Sequence, residues 1–369
     1  MGLIRLLLAL SVVTAHSNAI FGCSLVGGSI AVQAFFIISG FYMSVILNEK
    51  YVGKNGSFRL FITNRFLRIY PIYWTVMLCT IIFVLGIAVT NGVPKGQIID
   101  NYSSIKNHPF PFTYLILNNL LIFGQDVAMF LGLNPESGTL FFTNHFQDSH
   151  PPVYSFLLVP QAWTLGLELT FYLLAPFILR KGVKTVVTLI ILSFLLRLTL
   201  YDCFQLKYDP WTVRFFPTEL MFFLLGYLSY RIYLILRVKK VPPYVGVFSL
   251  ASCVVFTVLF NFLPAVSFRW FPFSVKEILY FSMIIVSIPI LFNYLKNNKL
   301  DSKIGELSYP VYIVHLLVIG IVGGFGHKYS KAFLMTGAAY ALASIIAAYF
   351  LNVAIALPIE KFRQARLKK

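Results

Sequence analysis

The sequence predicts an all-α integral membrane protein, a single bundle of about ten transmembrane helices, on three observations. Of its 369 residues 58% are hydrophobic and only 12% charged, about half the charged share of a soluble domain. Apolar runs long enough to cross a bilayer recur from one end to the other. Lys and Arg collect in alternate connecting stretches, as they do in the cytoplasmic loops of membrane proteins. The formal charge of +17 is therefore read as orientation bias, and nucleic acid is not an expected partner.

The first run, 3–22, imitates a secretory signal peptide, with Arg5, an apolar stretch over 6–13 and small residues near 17–19. Later runs would anchor the chain in any case, so it is read as a retained first span. Further runs lie at 29–48, 69–90, 161–179, 184–201, 213–235, 244–263, 275–295, 305–325 and 333–357. The stretch 112–133 is apolar too, but Asn118, Asn119, Gln125 and Asp126 interrupt it.

Charge arbitrates between the two possible counts. With about ten spans and a cytoplasmic start, the inner loops hold Lys50, Lys54, Arg59, Arg65 and Arg68, then Arg180, Lys181 and Lys184, then Arg237, Lys239 and Lys240, then Lys296, Lys299 and Lys303. Outer loops hold few, among them Lys95, Lys106 and Arg269. Counting 112–133 as a span would send most of that charge outside. It is therefore expected to be re-entrant or interfacial, with both termini cytoplasmic. The polar excursion 91–160 becomes a long extracytoplasmic loop, and the chain forms one domain, 1–369, with a basic tail at 361–369.

Several residues in these spans could do chemistry. Arg5 and His16 lie about 16 Å apart along one helix, the arginine near one membrane face and the histidine beyond the midplane. An ionisable ring in lipid is costly unless it faces protein or water, which makes His16 a candidate catalytic group. A snorkelling arginine and a backbone-bonded histidine fit the same pattern. Arg65 and Arg68 share a helix face and can grip phosphates through forked hydrogen bonds, although simple inside anchoring also explains them. Glu168 sits about two turns into an apolar span, and a buried carboxylate needs a partner. His16, at comparable depth, would serve, and Glu168 would then hold the imidazole in one tautomer as a general base.

Ser39, Trp163, Tyr309 and His315 are weaker candidates for the lining of a polar cavity, and His315 reads equally well as a packing histidine. His108, His145 and His150 fall in the long loop and receive no role. The four cysteines are scattered, with no CxxC and no metal-ligand spacing. Gly-rich phosphate loops, GxSxG and HExxH do not occur, so no metal is expected.

In order, Arg5 to His16, Phe35 to Phe41, Arg65 to Pro71, Trp163 to Tyr172, Gly305 to His315 and Ile359 to Lys361 resemble the acyltransferase 3 family of integral membrane acyltransferases, over essentially the whole chain. The resemblance implies transfer of an acyl group, usually acetyl or succinyl, from a coenzyme A thioester to a hydroxyl of a cell-surface or secreted glycan. The family's Arg-x10-His motif falls on Arg5 and His16, its Arg-x-x-Arg motif on Arg65 and Arg68, and its membrane glutamate on Glu168. Thr164 stands where the usual motif has serine, and the ending Pro358-Ile359-Glu360 departs from the family's.

The expectation is thus a multi-pass O-acyltransferase of the bacterial cytoplasmic (inner) membrane, transferring groups other than aminoacyl groups. Acyl-CoA, acetyl-CoA first, would be a co-substrate rather than a resident cofactor, and glycan and membrane lipid the other partners. Arg5, Arg65 and Arg68 would bind the donor's phosphates, and His16, oriented by Glu168, would activate the acceptor. A transporter or flippase of a glycan or lipid-linked intermediate would use the same spans and basic inner rim.

Overall fold

The computed structural model describes residues 1–52, 56–90, 97–239 and 241–367. Lys54, Lys95, Lys240, Lys368 and Lys369 of the charge pattern lie outside the described residues. Helix accounts for 74% of the chain, and every apolar run carries one. The principal helices are α1 (Gly2–Ala15), α2 (Gly28–Glu49), α3 (Phe58–Thr90), α4 (Gln97–Ser104), α5 (Pro109–Leu121), α6 (Gln125–Ala128) and α7 (Trp163–Ile178). They continue with α8 (Val183–Leu198), α9 (Phe216–Leu236), α10 (Pro243–Leu259), α11 (Val275–Leu295), α12 (Lys299–Lys328), α13 (Gly337–Leu351) and α14 (Leu357–Arg366). One hairpin, β1 (Leu131–Asn134) with β2 (Thr139–Phe142), pairs antiparallel.

Among the described residues, eight helical stretches are long and apolar enough to cross a membrane. Two of the expected spans are shorter. The 14 residues of α1 and 16 of α7 reach only about 21 and 24 Å, against roughly 30 Å of hydrocarbon. The run 3–22 is thus no continuous helix. It stops at Ala15, where the N–H groups of His16 and Ser17 turn to the Val13 and Thr14 carbonyls and their side chains bond the last turn, His16 Nδ1 at 3.0 Å from the Val12 carbonyl and Ser17 Oγ donating to Val13.

The bundle closes where backbones touch. A Cβ on Gly40 of α2 would lie 1.8 Å from the Phe223 carbonyl of α9, and one on Gly226 would lie 2.1 Å from that of Ile37. Small residues facing each other in this way let two helices approach without the hydrophobic effect that water would supply. Beside them α1 runs along α12, whose Asp301 carboxylate accepts the N–H groups of Gly2 and Leu3 at 2.8 and 3.1 Å. That satisfies two of the donors every helix start leaves over. Leu78, Ile82 and Leu85 of α3 and Ile191, Leu192 and Leu195 of α8 are exposed, an apolar perimeter suited to lipid.

The stretch 112–133 does not form one helix. α5 ends at Leu121, and the chain turns through Ile122 and Gly124, whose φ values are 60° and 86°. Tyr70, Tyr73 and Trp74 of α3 donate to the carbonyls of Leu121, Asn119 and Leu120, which are among those that the broken helix end would otherwise leave unpaired. The excursion 91–160 is more than a loop. Ile105, Leu115, Ala128, Leu133, Val153 and Phe156 form a small core of their own, and Asn101 ties α4 to Ser155.

Candidate active site

Five helices bring polar side chains to one place. Thr164, Glu168 and Tyr172 recur every four residues on α7, so they share a face. Ser308, Tyr309 and Tyr312 do the same on α12, while α1 contributes Arg5, α2 contributes Ser39 and Tyr42, and α3 contributes Arg68. Together with apolar residues such as Phe35, Met43 and Leu165 they line a cavity of about 800 Å³, its open mouth included. A second cavity of about 830 Å³ adjoins it and is lined in part by Glu306, Asn352, Glu360 and Arg363. Arg5, Arg68 and Tyr309 belong to both, so the two adjoin at a waist where two guanidinium groups stand, and neither His16 nor His315 lines them.

Hydrogen bonds fix the inner chamber. The half-buried Glu168 carboxylate accepts from Ser39 Oγ at 2.8 Å and from the Tyr172 phenol. Tyr309 donates to the Ile69 carbonyl at 2.7 Å. Thr164 and Tyr312 share a hydrogen bond of 2.7 Å, and the Tyr312 phenol also reaches the Gln161 carbonyl. Beyond Tyr312 lies an imidazole pair. The ring of His315 is 6.0 Å from that of Tyr312 and 5.1 Å from that of His16.

His16 itself is exposed and caps the C-terminal end of α1. Its Nδ1 lies 3.0 Å from the Val12 carbonyl, which can only accept, so Nδ1 carries a proton, and in the neutral ring Nε2 presents the lone pair. His315 is fully buried. Its Nδ1 is 2.6 Å from the Tyr312 carbonyl, and among the described residues its Nε2 has no partner.

The geometry alters three expectations. Glu168 is bonded to Ser39 and Tyr172 rather than to His16, because α1 ends where the histidine begins and its ring turns toward α12. His16 therefore sits at an exposed helix end, not inside an apolar span. Arg65 and Arg68 do not grip one space: Arg68 is exposed and lines both cavities, whereas Arg65 is buried, 5.9 and 6.0 Å from the ring centres of Phe61 and Tyr172. Of the weaker candidates, Ser39 and Tyr309 line the chamber, whereas His315 lines neither cavity and packs behind Tyr312. Trp163 stands aside, its ring covered by the Arg214 guanidinium at 4.1 Å.

Sequence reasoning passed over Tyr42, Ser308 and Arg363. Arg363 had a readable signal, since it follows Glu360 by three residues on the same helix face. The pairing of His16 with His315 had none, because only the bundle's order brings α1 and α12 together.

No curated protein and no solved structure matches the chain. The sequence profile of the family described as an acyltransferase domain matches residues 1–357, a span that takes in all five helices of the chamber and stops before Ile359, Glu360 and Arg363 of the second cavity. With that match over nearly its whole length, the chain belongs to the acyltransferase 3 family.

Proposed function

We propose that this membrane acyltransferase moves an acyl group, acetyl in the first instance, from acyl-CoA to a hydroxyl of a cell-surface or secreted glycan. Its place would be the bacterial inner membrane, with both termini cytoplasmic. One observation carries the reading: two cavities that share Arg5, Arg68 and Tyr309, read as one passage, extend from Glu360 and Arg363 to Thr164 and Tyr312, whose ring lies 6.0 Å from that of His315, itself 5.1 Å from that of His16. A thioester on a long, phosphate-bearing arm fits such a shape. Arg5 and Arg68 contact the donor's phosphates through charge-assisted hydrogen bonds. Arg65, buried behind them, adds positive charge and braces the wall.

The acceptor approaches the exposed side of His16. The lone pair on Nε2 takes the proton of the acceptor hydroxyl as its oxygen attacks the thioester carbonyl carbon. The carbon–sulfur bond then breaks, and the imidazolium returns the proton to the departing thiolate, so that an ester and free CoA leave. His315 backs the imidazole, while Glu168 keeps Ser39 and Tyr172 fixed along the donor's route.

Base assistance of this kind is worth about 10² to 10⁴ in rate. Purified protein given acetyl-CoA and the correct glycan should release free thiol in proportion to ester formed, and His16→Ala should lose that activity by about 10² or more while still binding the donor. Wild-type transfer by the alanine variant would refute the mechanism. Movement of a glycan with no thiol release would instead identify a transporter.

A further inference from the structure

Arg363 stands in the second cavity with no part in the acyl-transfer step. It is 7% exposed, and among the described residues its Nε has no hydrogen-bond partner. Its Nη1 is held by one carboxylate, that of Glu360, three residues earlier on α14. The charges of Arg65 and Arg68 act on it, so three helical arginines from two distant parts of the chain share one field. The arrangement is built rather than incidental. Arg366 fastens α14 to α3 through Asn64 and Thr63, both at 2.8 Å, one turn from Arg68.

The order of groups along the passage matters. The first cavity, with Ser39, Glu168, Thr164 and Tyr312, makes its inner end, Arg5 and Arg68 stand at the waist shared by both cavities, and Arg363 with Glu360 lies in the second, outer cavity. A coenzyme A thioester has the matching order: thioester, pantetheine arm, diphosphate, then a ribose bearing adenine and a 3′-phosphate. With the thioester at the inner end and the diphosphate at the waist, the last phosphate falls at Arg363. Ile72, Pro310, Leu357 and Ile359 supply apolar wall beside it, suited to the face of a purine.

We propose that Arg363 binds the ribose 3′-phosphate of the acyl-CoA donor, exchanging its contact with Glu360 for one with the phosphate. This rests on the acyl-CoA reading above. Glu360 is then an internal counter-ion that keeps a buried guanidinium paired while the cavity waits for its ligand. The role falls to α14, a helix that carries none of the chamber's side chains.

The test is the affinity of the full-length protein for acetyl-CoA and for acetyl-3′-dephospho-CoA, measured on wild type, Arg363→Gln and Glu360→Gln. Loss of a charge-assisted contact costs about tenfold or more in affinity. Wild type should prefer acetyl-CoA by that factor, Arg363→Gln should bind the two donors alike, and Glu360→Gln should widen the preference. Arg363→Gln with the wild-type preference, or wild type that binds both donors equally, would overturn the assignment. If Arg363→Gln does not fold, a Glu360→Gln preference identical to wild type would do the same. Wild type that binds neither donor would remove the acyl-CoA reading and this assignment with it.

Discussion

Two arginines three residues apart on α3 have opposite surroundings, and their substitutions should separate accordingly. Arg68 is exposed to both cavities, so Arg68→Ala should raise KM for the acyl donor about tenfold or more with little change in melting temperature. Arg65 is buried between Phe61 and Tyr172, so Arg65→Ala should chiefly lower Tm, with a smaller effect on KM. Asp126, on α6, offers a pH test. Burial pushes its carboxyl up to about 6, against the opposing pull of backbone N–H groups and of Arg214. The folded protein then keeps this proton to higher pH than the unfolded chain, which releases it near 4. Stability should therefore fall as pH rises from about 4 to about 6 and level off above. Asp126→Asn should abolish that dependence and gain on the order of 2–3 kcal/mol at pH 7, read as Tm in detergent across the pH range.

At the scale of helices, the contact between α2 and α9 decides whether the chamber exists. Ser39 and Tyr42 reach the chamber from the helix that Gly40 seats against Phe223. Gly40→Val would drive a methyl into a carbonyl oxygen and should cost about 3 kcal/mol or more, seen as loss of folded protein; Gly40→Ala should already lower Tm. Much of this level was legible beforehand. The length of the apolar runs placed a helix in each expected span, although α3 begins at Phe58, inside the stretch read as the loop 49–68, and the four polar residues between 118 and 126 marked the place where α5 breaks. Lengths were less legible. The N–H groups of His16 and Ser17 and their side chains close α1 by bonding to its last carbonyls, an effect that hydropathy does not register. The hairpin of β1 and β2 was missed as well, for its eight residues include no long alternating run.

Over the whole molecule, the motifs could be read one by one but their partners could not. Glu168 was recognisable as a carboxylate in an apolar run, yet its bonding to Ser39 rather than His16 depends on how α1, α2 and α7 are rotated about their axes. No spacing within one helix encodes that. The same holds for Arg363, which only the folding back of α14 onto α3 carries into the second cavity. Orientation remains open to direct measurement. A cysteine placed at the exposed Ser137 of the hairpin turn should react with an impermeant maleimide on intact cells, and one at Lys303 only after permeabilisation. The reverse labelling would invert the proposed topology.

The rod formed by α3 links these scales. Within two turns it carries Arg68 at the passage waist, the Ile69 carbonyl that receives Tyr309, and the three aromatic donors that grip the end of α5. Pro71 interrupts its hydrogen-bond ladder in the middle of that stretch. One helix thus ties the cavity's arginine to the grip on α5, and a bend at Pro71 would shift both together.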